Sequence, residues 1–66
     1  MAFSQNPQRR RDELQKLYDL LDEKILRLRT ARIIETDAAI VFRLDKQIEE
    51  AEIEREKIAQ EIDNLG

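Results

Sequence analysis

The apolar residues of this chain fall into two stripes that cannot share one straight helix. Leu14, Tyr18, Leu21, Ile25 and Leu28 step by 4, 3, 4 and 3, the spacing of one helical face. Val41, Leu44, Ile48, Ala51, Ile58, Ile62 and Leu65 form a second such series, with Arg55 at its one charged position. From Leu28 to Val41 is 13 residues, or about 220° of rotation at about 100° per residue. A continuous helix would throw the second stripe to nearly the opposite side from the first. A single three- or four-residue stutter does not repair that offset. Thr36 and Asp37, both good N-cap residues, stand where the break is needed. Asn6 before Pro7 reads as an earlier N-cap with proline at the first helical position. Gly66 suits a helix terminus.

The fold class is therefore all-α, an antiparallel two-helix hairpin of coiled-coil type. Helix one is expected over about residues 7–34, the turn at about 35–37 and helix two over about 38–65, within a single domain spanning 1–66. At about 1.5 Å rise per residue each arm is roughly 40 Å long. Charge supports the antiparallel pairing. Residues 1–35 carry eight basic and six acidic side chains, and residues 36–66 carry four and nine, giving +2 and −5. Arg9, Arg10 and Arg11 sit in the first turn of helix one, where the helix dipole disfavours cations. Glu61 and Asp63 sit in the last turn of helix two, where it disfavours anions. A hairpin lays those ends side by side, and each misfit offsets the other. An acidic ligand for the arginine cluster is the competing reading, with fewer contacts than a robust phosphate binder shows.

Size adds a further expectation. Below roughly 70–80 residues a single core rarely supplies more than about 3–5 kcal/mol, and this chain of 66 residues has no cysteine with which to staple itself. Eight larger apolar residues, Leu17, Leu20, Leu26, Ile33, Ile34, Ile40, Phe42 and Ile53, lie outside both stripes. A homodimer of hairpins forming a four-helix bundle would cover part of them. Phe42 and Ile53 are separated by almost three whole helical turns, so they align on the back of helix two. With Leu20, Leu26 and Ile33 of helix one they are the candidate interaction surface. Arg55 has two readings: a long side chain that snorkels past the interface, or, with Tyr18 across from it, a polar layer that fixes register.

Catalysis has little to work with. There is no histidine or cysteine to activate a hydroxyl or act as nucleophile. Glu49, Glu50, Glu52, Glu54 and Glu56 are carboxylates without the Glu-x-x-His partner of a bundle di-metal site. No enzyme activity, cofactor or metal is expected. A net charge of −3 argues against general nucleic-acid binding. Met1 to Ser4 form no signal peptide and no stretch has the apolar length of a membrane span, so a cytoplasmic location is the default expectation.

One string of residues is distinctive: Leu28-Arg29, then Ile34-Glu35-Thr36-Asp37, then Phe42-Arg43-Leu44-Asp45-Lys46-Gln47-Ile48-Glu49-Glu50-Ala51-Glu52. It resembles a helical-hairpin, effector-associated adaptor module of signalling proteins in cyanobacteria and other bacteria. In those proteins the module is joined to STAND-type (NLR-like) NTPases, to caspase-like or TIR-like effectors, or to repeat domains. The resemblance covers about residues 14–65 and departs at Ala38, where proline is expected after the aspartate. It implies a segment of a larger protein and a role in recruiting or assembling signalling and conflict-response proteins through like hairpins. A purely structural spacer or stalk is the alternative from a different class. A membrane-perturbing helical domain is a third; it needs a helix with a wide apolar face and a basic polar face, and helix one is only weakly of that kind.

Overall fold

The computed structural model describes residues 7–65. Met1 to Ser4, Asn6 and Gly66 lie outside the described residues. Helix α1 spans Pro7–Ile34 and helix α2 spans Ala38–Leu65. They lie side by side and antiparallel in a rod of 53 × 19 × 14 Å. All the described residues outside the two helices belong to the link at 35–37.

The link reverses the chain without glycine and without a positive φ angle among the described residues. The Glu35 N–H donates to the Arg32 carbonyl at 3.3 Å, closing the end of α1. Two residues on, the Asp37 N–H donates to the Glu35 carboxylate at 3.1 Å. Asp37 then caps α2. Its Oδ1 accepts from the N–H groups of Ala39 at 2.8 Å and Ile40 at 3.4 Å, while its carbonyl accepts from Val41 at 2.9 Å. This is the N-cap pattern, in which one side-chain oxygen satisfies donors that the first helical turn leaves without partners. Thr36 stands exposed in the link and makes none of these bonds.

The core follows the two stripes and is thin. Leu14 and Ile25 of α1 are 1% and 2% exposed, and Ile48 and Ala51 of α2 complete the buried set. Tyr18, Leu21, Leu28, Val41, Leu44, Ile58 and Ile62 are only half-buried. A helix with one neighbour has one covered stripe, and residues on the edges of that stripe keep contact with water. Leu65 is a correction to the stripe reading, since it stands 36% exposed. The α1 stripe begins at Leu14, and one step before it comes Arg11. Leu65 therefore has no apolar stripe residue of α1 at its level.

Candidate interaction surface

Cross-helix ion pairs give the hairpin two unlike flanks. Arg29 pairs with Glu52, Arg32 with Asp45, and Arg55 with Asp22. Asp22 and Arg29 are seven residues apart, as are Asp45 and Glu52, so each couple shares one edge of its helix. These pairs stitch one flank from mid-height to the turn. Along the other edge of α1 the heptad series is Arg10, Leu17, Lys24 and Ala31. Along the facing edge of α2 it is Ile40, Gln47, Glu54 and Glu61. Only the open end of this second flank is bridged, by Arg10 to Glu61 at 3.1 Å. The remaining ion pairs, Arg9 with Glu13 at 3.8 Å and Arg27 with Glu23 at 2.7 Å, lie within α1.

Arg55 and Tyr18 come together. Arg55 is half-buried, with its guanidinium 6.0 Å from the Tyr18 ring centroid and hydrogen-bonded to Asp22 at the rim. The aliphatic stem stays in the stripe and the charged head reaches the edge. The hydrogen bond to Asp22 raises the Arg55 pKa above its ordinary value. Desolvation opposes this, and the charges of Asp22, Tyr18 and Glu52 add to it. Asp45 does the same for Arg32, first through its hydrogen bond and then through its charge. Both guanidiniums are fixed cations.

The five candidate surface residues are all exposed but do not form one patch. Leu26 and Ile33, seven residues apart, lie beyond the ion-paired edge of α1 and are 65% and 80% exposed. Leu20 lies toward the opposite flank, and Phe42 and Ile53 stand on the back of α2, Phe42 at 65% exposure. Beside Phe42 the short side chains of Ala38 and Ala39 leave a shallow hollow edged by Arg43 and Lys46. Leu17, Ile34 and Ile40 are also exposed, and candidate selection from the sequence passed them over. The signal for Leu17 and Ile40 was present in the series 10-17-24-31 and 40-47-54-61, which became readable once the flanks were known.

Among the described residues no group of three or more carboxylates is placed to hold a metal ion. No helix of the described residues is long and apolar enough to cross a membrane. No protein-family model matches the chain, and neither a curated protein nor a solved structure matches it.

Proposed function

We propose that this hairpin is a non-enzymatic, cytoplasmic protein–protein interaction and oligomerisation module that brings signalling domains together. The observation that carries this reading is the imbalance between covered and uncovered apolar surface. Among the described residues nine large hydrophobic side chains stand exposed, against four buried hydrophobic residues. Singly exposed apolar residues are ordinary. Here they outnumber the core of a hairpin too small to be stable on one stripe per helix, and association with a like hairpin relieves both conditions. Leu20, Leu26, Ile33, Phe42 and Ile53 are the partner-facing candidates, with aromatic Phe42 of the type enriched at interfaces. The resemblance to effector-associated adaptor modules of STAND-type signalling proteins supplies the class of partner. The absence of histidine and cysteine from the sequence supports a binding role over a catalytic one.

A structural spacer is the second reading, favoured by the 53 Å rod and its stitched flank. Sedimentation equilibrium separates the two. The interaction module gives a species of twice the chain mass at micromolar to millimolar concentration. A clean species of 7.9 kDa, the mass of one chain, throughout that range would leave the spacer standing and remove the oligomerisation module.

A further inference from the structure

We infer that a second copy of this chain docks on the flank bearing Leu17, Leu20 and Lys24 of α1 and Ile40 and Glu54 of α2. Its two-fold axis runs parallel to the long axis of the hairpin. This inference rests on the self-association proposed above and adds which face is used and in what orientation.

The two flanks differ in what a partner would meet. On the stitched flank the ion pairs Arg29–Glu52, Arg32–Asp45 and Arg55–Asp22 already satisfy one another within the chain. Covering them would strip water from six charged groups and gain no new partner for any of them. On the other flank Leu17 and Leu20 are 46% and 61% exposed. Among the described residues neither Lys24 nor Glu54 forms an ion pair. This flank offers apolar area and two unmatched, opposite charges. The hairpin face of about 53 by 19 Å is also of the size needed, since each partner in a standard interface contributes roughly 800 Å².

Charge then selects the orientation. Arg55 reaches both Tyr18 and Asp22, so Lys24 and Glu54 lie at nearly the same level of the rod. A two-fold axis along the rod keeps every level in place and sets α1 against the partner's α2. Lys24 then faces the partner's Glu54, and Glu54 faces the partner's Lys24. Ile34 and Ile40 at the turn end meet the corresponding pair of the second copy. An axis crossing the rod at mid-height instead sets α2 against α2 and brings Glu54 toward the partner's Glu54, which like-charge repulsion opposes. The isologous pairing along the rod satisfies both charges twice.

The test is a pair of charge reversals, K24E and E54K, each followed by sedimentation equilibrium with helicity checked by circular dichroism. Each variant alone self-associates about tenfold more weakly than wild type, because symmetry turns two attractive pairs into two repulsive ones. Mixed in equal amounts, the two variants recover wild-type affinity as a heterodimer. That recovery cannot come from repair inside either chain, where the like charges persist. Leu17→Glu also weakens association. If wild type dimerises but both reversals do so equally well, or the mixture gains nothing, this face and axis are wrong and self-association itself stands. If wild type sediments only as the single chain, the parent proposal and this one fail together.

Discussion

Ile25 and Ile33 lie on the same helix, share the same chemistry and differ almost completely in burial, at 2% and 80% exposed. Replacing each in turn with alanine isolates what the stripe contributes. Isoleucine to alanine removes three carbon groups, which at about 0.8 kcal/mol each amounts to about 2.4 kcal/mol for a fully buried side chain. Alanine recovers about 0.4 kcal/mol through its better helix propensity. The edge of a two-helix pair can close over the gap, so the cavity contribution seen in deep cores is small. Ile25→Ala is therefore expected to lower stability by about 2 kcal/mol, a large share of the ~3–5 kcal/mol a core of this size supplies. The equivalent drop in melting temperature is about 8–16 °C for a chain of this length. At Ile33 about one-fifth of the transfer contribution, near 0.5 kcal/mol, is lost and the propensity gain nearly cancels it. The two variants should be compared by urea unfolding followed by far-UV circular dichroism, at one fixed protein concentration because self-association shifts apparent stability. Losses agreeing within about 0.5 kcal/mol would refute the assignment of Ile25 to the core and of Ile33 to the surface.

Asp37→Ala should cost about 1 kcal/mol through loss of the α2 cap, whereas Thr36→Ala should change stability by no more than a few tenths. Urea midpoints decide this, and equal losses at the two sites would contradict the cap geometry. The raised pKa of Arg32 makes its contribution to stability complete below the ordinary arginine value, and lost only as pH rises through the still higher folded value. Arg32→Gln is accordingly expected to cost the same at neutral pH and at about pH 10. A cost that halves at the higher pH would show that the interaction titrates elsewhere.

The hairpin was legible because its two stripes are each regular and mutually out of phase. No partner choice or register is needed to see that Leu28 and Val41 cannot face the same way along one straight helix. Asp37 was legible for a local reason, since capping depends on the residue and the next three N–H groups alone. The ion-paired flank was not. Arg29 and Arg32 have several carboxylates within reach along a Glu-rich α2, Arg55 has several along α1, and selecting Glu52, Asp45 and Asp22 requires the relative height of the helices. Leu65 misled the reading because periodicity reports which face a residue occupies, not whether anything stands opposite it. The surface residues were correctly placed off the stripes, but their division between two flanks depends on the same missing height and on the hand of the pairing.

Because the only covalent link between the helices is at 35–37, the hairpin has a direction in which it yields. Tension drawn between Pro7 and Leu65 peels the arms apart from the open end, so that the load falls on one layer of contacts at a time. Arg10–Glu61 is the first cross-helix ion pair to part, then Arg55–Asp22 and Arg29–Glu52, and Arg32–Asp45 beside the turn is the last. Each residue that leaves a helix lengthens from about 1.5 Å to about 3.3–3.6 Å along the pull, and the chain gives way gradually. Tension drawn between the turn and one open end runs instead along a single helix, whose own backbone hydrogen bonds must lengthen before the arms part. The same molecule is soft when unzipped and stiffer when one arm is pulled end to end.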